Sequence, residues 1–153
     1  MALRYHRAAI GVVHRHGGPL YGALRGDRLA GVAVTFAAGR YPPPPRTFVR
    51  YIPGFLAAGP APIVRGLRTS SIQDTGHPSE PHAFLWFLAV DPDHQRSGVG
   101  RALLERVFED AEAPVYLDTT NPDNVPYYAS FGFEEIGRAP LPRGATMWFM
   151  RRP

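Results

Sequence analysis

The hydrophobic pattern of the chain is organised around one unbroken apolar run, Ala83–Val90 (AFLWFLAV). It is short enough for a buried strand and far below the run of about 18 apolar residues that a membrane span needs. A central place in a sheet is expected. Asp91-Pro92-Asp93 ends the run by turn chemistry, because proline fixes φ and offers no amide donor. Gln95-Arg96-Ser97-Gly98-Val99-Gly100 then opens directly into a helical pattern. Val99, Leu103 and Val107 recur every fourth residue with Leu104 and Phe108 beside them, while Arg101, Glu105, Arg106, Glu109 and Asp110 fall on the other face. The unit is strand, glycine loop, amphipathic helix.

The remaining elements follow from the same patterns. Ala2–Val13 predicts a short helix stopped by Gly17-Gly18-Pro19, and Leu20–Leu24 and Leu29–Phe36 predict two strands joined by a tight turn at Gly26-Asp27. The second of these, small and apolar, belongs inside the sheet. Four successive prolines, Pro42–Pro45, read as a stiff connection or as a polyproline ligand, the first being the simpler. Thr47–Ala57 and Ala61–Ile72 predict two short helices, with Phe48, Tyr51, Ile52 and Phe55 serving either a pocket or the core. Val115–Thr119 predicts a strand parallel to Ala83–Val90 by a right-handed crossover, followed by a helix over Asn121–Ser130 and a terminal hairpin of Gly132–Gly137 and Thr146–Arg151. No internal repeat and no linker divides the 153 residues, so a single domain over 1–153 is expected.

Composition narrows the function. The hydrophobic fraction of 44% and charged fraction of 20% are those of a globular protein. The absence of cysteine excludes disulfides, thiol nucleophiles and thiolate metal sites. His14 and His16 lack a third convergent ligand, so a solvated pair is favoured over a metal site, and no metal is expected. No signal-peptide pattern is found, and a cytoplasmic protein is expected. All 17 basic residues are arginine and the net charge is +4, but they form no dense block, so neither nucleic acid nor membrane is an expected partner.

The loop carries the chemistry. A helix N-terminus presents unpaired N–H groups and a positive dipole end, and glycines at 98 and 100 let a backbone approach an anion, with Arg96 and Arg101 adjacent. That suits a diphosphate, although a glycine connection without ligand is the alternative. Neither Gly-x-Gly-x-x-Gly nor Gly-x-x-x-x-Gly-Lys-Ser/Thr is present. Gln/Arg-x-x-Gly-x-Gly/Ala after a Val-Asp-Pro strand end instead resembles the acetyl-CoA pyrophosphate loop of the GNAT N-acetyltransferases. Ser79-Glu80-Pro81, AFLWFLAVDPDHQ, VYLDTT, Asn124-Val125-Pro126-Tyr127-Tyr128 with Phe131-Gly132-Phe133, and Met147–Arg151 together resemble the puromycin N-acetyltransferase branch, over roughly residues 79–153 and more loosely from residue 20.

The resemblance implies an α/β (α+β) GNAT fold: a mixed central sheet flanked by helices, with a pyrophosphate loop at a helix N-terminus. It implies an acetyl-CoA-dependent transferase acting on a primary amine of a small molecule in a ternary complex. Backbone groups of Leu88, Ala89 and Val90 would hold the pantetheine arm, and Gln95, Arg96, Ser97, Gly98, Val99, Gly100 and Arg101 the pyrophosphate. Tyr128, four residues before Gly132, matches the general acid, and Asn124 or Asn121 the asparagine beside the cofactor arm. The glutamate that many relatives carry on the central strand is missing here. His82 is the leading candidate base, ahead of Glu80, His77 and Asp118, and a water relay is a further route. Family members place a strand and two helices ahead of the hairpin, more than 19 residues hold, so a homodimer completing the acceptor pocket is expected. The alternative function is a non-catalytic acyl-CoA-binding domain.

Overall fold

The computed structural model describes residues 18–44, 46, 49 and 60–153. The helices expected over Ala2–Val13 and Thr47–Ala57, the His14/His16 pair and the aromatic residues Phe48, Tyr51, Ile52 and Phe55 lie outside them. The fold is α/β, with six strands and three α-helices among the described residues. Two compact units divide it, the first running to Pro43 and resuming at Pro81–Val115, the second made of Pro44–Glu80 and Tyr116–Pro153.

In the first unit β1 (Leu20–Arg25), β2 (Arg28–Phe36) and β3 (Ala83–Val90) pair antiparallel in that order. β2 is therefore interior, as its small apolar sequence requires. Arg25 pairs with Arg28 across a two-residue turn, and Gly26 there has φ +59°, which suits the first position of a primed hairpin turn. α1, in the second unit, is Pro60–Gly76, and α2, in the first, is Val99–Asp110. α2 buries Val99, Leu103, Leu104 and Val107 and leaves its charged face in solvent, the stripe that the sequence period requires.

The strand at the centre of the sequence pattern departs from expectation in one respect. Ala83, Phe84 and Leu85 are buried, whereas Trp86–Val90 are half-exposed. The pairing shifts there, Val34 opposing Phe87 and Thr35 opposing Leu85, so Trp86 forms a bulge. An extra residue there breaks the two-residue alternation of the strand. Phe36, Tyr41, Phe84 and Trp86 pack as an aromatic cluster with centroids 4.9–6.2 Å apart, which anchors the start of the proline segment to the unit.

In the second unit β4 (Val115–Thr119), β5 (Glu134–Pro140) and β6 (Thr146–Arg152) accompany α1 and a short α3 (Asn124–Ala129). β5 and β6 form the expected terminal hairpin, the first strand starting two residues later than the pattern indicates, because Gly132 takes φ +83° and closes the preceding turn. α3 likewise starts at Asn124 instead of Asn121. The Asn121 carboxamide oxygen accepts the Asp123 N–H at 3.1 Å, an Asx turn that with Pro122 fixes the approach to the helix. α1 runs to Gly76, four residues beyond the expected end at Ile72.

Close packing of α2 on β2 depends on Gly31. A Cβ there would lie 2.8 Å from Val99 Cγ1 and 2.9 Å from the Ala89 carbonyl oxygen. Gly31→Ala is expected to destabilise the fold by about 2 kcal/mol, since overpacking of a filled site forces backbone shifts. A urea midpoint equal to that of the wild type would show that α2 is free to move away.

Candidate active site

The loop after β3 is built by a chain of local hydrogen bonds. The Asp91 carboxylate accepts the Asp93 N–H at 2.9 Å, and Pro92–His94 forms one turn of 3-10 helix. His94 and Gln95 donate back to the carbonyls of Asp91 and Pro92, and Ser97 Oγ donates to the His94 carbonyl at 2.6 Å. The backbone then turns left-handed twice, at Arg96 (φ +58°) and at Gly98 (φ +86°), before α2 begins at Val99. Among the described residues Arg96 is the one non-glycine with positive φ. That conformation costs roughly 1–2 kcal/mol in an L residue, so surrounding contacts must hold it.

Turns with left-handed residues can bring neighbouring N–H groups to face one concavity, as in an anion nest. α2 has no acidic residue in its first turn and no side chain capping its N-terminus. Nothing lies within 4 Å of where a Gly98 Cβ would stand, so the approach to that peptide is open. Gln95, Arg96, Ser97 and Gly98 with the first helical residues Val99, Gly100 and Arg101 are thus brought together as the sequence requires. Arg101 also faces Glu105 at 3.8 Å along the exposed side of the helix. A depression of about 250 Å³, lined by Leu29–Val32 and Ala89–Asp91, lies at the end of β3 and takes in two of the three residues expected to hold the pantetheine arm; Leu88, one residue earlier, is half-exposed. Charge, backbone direction and open space all fit a diphosphate. His82 sits half-exposed immediately ahead of β3 in the same unit.

The second unit assembles another set. Tyr128 on α3 is 9% exposed and packs edge-on to Tyr127 and Phe133, at 5.4 and 5.7 Å. Burial, reinforced by Tyr127 and by the negative charge of Asp118, pushes its phenol up to about 12. Tyr127 is 37% exposed, so the two neighbouring tyrosines are not equivalent. Asp118, on β4, is itself pushed up to about 6 by burial, against which a 2.7 Å hydrogen bond from Gln73 Nε2 of α1 favours the ionised form. Sequence reasoning ranked Asp118 low and passed over Gln73. An acid in an otherwise apolar strand was the available signal, but its partner lies 45 residues away.

Asn124 donates through Nδ2 to the buried Thr119 hydroxyl at 3.2 Å, and the same oxygen accepts the Asn121 N–H at 3.3 Å. Thr119 thereby orients both asparagines, a role not evident in the sequence. Asn121 itself is exposed and its carboxamide oxygen is engaged in the turn. Glu80 pairs with Arg151 at 3.2 Å, and His77 stacks on Tyr116 with centroids 4.4 Å apart. Among the described residues no three His, Cys, Asp or Glu side chains converge as metal ligands, and no helix is long and apolar enough to cross a membrane.

Comparison with known proteins gives this geometry a lineage. Over 59 residues the chain is 42% identical to the [ribosomal protein bS18]-alanine N-acetyltransferase of Escherichia coli K12, a match covering 35% of this chain and 40% of that protein. The chain therefore spans well under two thirds of that relative. The crystal structure of the ribosomal-protein-S18-alanine N-acetyltransferase from E. coli aligns at a TM-score of 0.57 with 20% identity, over 96% of this chain and 86% of that one. The yncA protein of Salmonella typhimurium, solved with its cofactor acetyl-CoA, aligns at 0.57 with 17% identity, over 92% and 67%. At such identities the structural matches establish the fold. The family model of the GNAT acetyltransferases matches residues 2–133. The chain belongs to the GNAT acetyltransferase family.

Proposed function

We propose that this protein is an acetyl-CoA-dependent N-acetyltransferase that acetylates a primary amine of a small molecule. The observation that carries the reading is the doubly left-handed loop at Arg96 and Gly98, set at the N-terminus of α2 in a chain of an acetyltransferase family. In this reading acetyl-CoA supplies an activated thioester. The chain's own residues bind it, hold the amine neutral and return a proton to the sulfur. Backbone N–H groups from Gln95 to Gly100 hold the diphosphate, and Leu88, Ala89 and Val90 hold the pantetheine arm.

Tyr128 is assigned the acid. Its raised pKa keeps the phenol protonated at neutral pH, the state from which it can donate to a departing thiolate. For the base, Asp118 is favoured over His82. Its carboxylate acts electrostatically on Tyr128, and a pKa of about 6 makes it a better proton acceptor than an ordinary aspartate. An intervening water can carry the proton between amine and carboxylate. Asn124, oriented by Thr119, is assigned to the cofactor arm.

A second reading is that the acceptor is the α-amine of a polypeptide. The 42% identity with an enzyme named for acetylating a ribosomal-protein alanine favours it. The puromycin-like sequence features favour the small molecule. Thiol release from acetyl-CoA in the presence of an aminonucleoside, or of a short peptide with a free N-terminal alanine, tests both. Turnover with the peptide alone would replace the small-molecule reading, and CoA binding without turnover on either would favour a non-catalytic domain.

Four substitutions test the assignments. Tyr128→Phe is expected to lower kcat about 100-fold, in the range of general acid catalysis, with acetyl-CoA affinity unchanged; equal turnover would remove Tyr128 from the mechanism. Asp118 must be ionised to accept a proton, so wild-type kcat/KM is expected to rise with pH through about 6. Asp118→Asn should abolish that limb and His82→Ala should retain it; the reverse outcome would make His82 the base. Gly98→Glu, at a position with open space, is expected to abolish CoA binding in titration calorimetry, and retained binding would move the phosphate site elsewhere.

A further inference from the structure

We infer that Arg25, at the tip of the β1–β2 hairpin, is a positioning residue for the cofactor phosphate loop. This rests on the acetyl-CoA reading above. Its guanidinium Nη2 donates to the Ser97 carbonyl at 3.0 Å, joining residues 72 apart in sequence.

Two arguments give that contact its role. A trans peptide is planar, with its C=O and N–H directed oppositely. Holding the Ser97 carbonyl toward Arg25 therefore turns the Gly98 N–H away from it. That N–H belongs to the residue at the N-terminus of α2, where the backbone is left-handed and the approach is open. Ser97 is held from its other side by its own hydroxyl, which donates to the His94 carbonyl. The two bonds together fix the peptide between the left-handed residues Arg96 and Gly98.

The second argument is electrostatic. A helix N-terminus is the positive end of its dipole and disfavours a neighbouring cation. Here Arg25 is brought to it and Arg96 immediately precedes it, with no acid in the first helical turn. Asp27 beside Arg25 is offset by Arg28, and the Asp91 carboxylate is engaged by the Asp93 N–H in the preceding turn. Such an arrangement becomes favourable when an anion occupies the loop. The hairpin thus supplies a bond that aims a peptide N–H and a charge that favours the diphosphate over a neutral ligand.

The test titrates wild type, Arg25→Ala and Arg25→Lys with CoA and with dephospho-CoA, which keeps the diphosphate and lacks the 3′-phosphate. Steady-state kinetics and thermal melting accompany the titrations. Arg25→Ala is expected to raise Kd for both ligands about tenfold, the weight of one exposed charge-assisted hydrogen bond. KM for acetyl-CoA should rise with kcat unchanged, the melting temperature should hold, and Arg25→Lys should regain most of the affinity. Unchanged Kd would overturn the inference. A loss confined to CoA and absent with dephospho-CoA would overturn it too, by making Arg25 a ligand of the 3′-phosphate. Wild-type protein that binds neither ligand would overturn the cofactor reading itself.

Discussion

Close approach of α2 to β2 at Gly31 is the constraint on which the loop from Asp91 to Gly98 depends. With the helix seated on Val99 and Leu103 against that glycine, its N-terminus has one permitted position relative to the sheet. The eight residues from Asp91 to Gly98 must then join the end of β3 to a fixed point. Arg96 is left-handed within that span, and the short-range bonds of Asp91, His94 and Ser97 hold the loop around it. A left-handed arginine is tolerable only where its neighbours over-determine the path. The cost of that backbone geometry is offset by packing of the helix.

The elements were largely legible in the sequence because each rests on a local period or a local stop. Ala83–Val90 and Val115–Thr119 are bounded as the apolar pattern bounds them, and α2 buries the stripe that the four-residue spacing marks. Proline and glycine set the connection after β3. Where local signals misled, a side chain or a bulge had intervened. Asn121 folds its carboxamide onto the backbone and delays α3, and Trp86 adds one residue to β3, which no alternation rule can locate without its partner strand. The second half of β3 consequently leaves its side chains half-exposed, where a buried core strand was expected.

The site was legible in its backbone part and obscure in its side-chain part. Glycine spacing and adjacent arginines mark the candidate loop in the sequence, since its turn is a local property of the backbone. Asp118 is different. VYLDT offers an acid in an apolar strand but does not show what holds it, which is Gln73, on a helix 45 residues earlier. Arg25 is harder still, because a hairpin-tip arginine reads as solvated until the fold brings it to Ser97. Charge-bearing residues acquire their function from neighbours that are remote in sequence, whereas loop glycines carry theirs locally.

Burial is the common cause behind the two raised pKa values on which the proposed acid and base rest. Removing solvent disfavours the ionised form of each group, so the carboxyl of Asp118 rises to about 6 and the phenol of Tyr128 to about 12. Holding Asp118 ionised costs about 3 kcal/mol of folding stability once pH passes its titration, since its folded value lies above the unfolded one. Its charge then acts on Tyr128 and helps to keep that proton in place. Between the two values the carboxylate is ready to accept a proton while the phenol still has one to give. An exposed aspartate would be a weaker base, and an exposed tyrosine would feel less of the carboxylate's field. Burial of both groups therefore spreads apart the pH ranges in which the carboxyl and the phenol give up their protons.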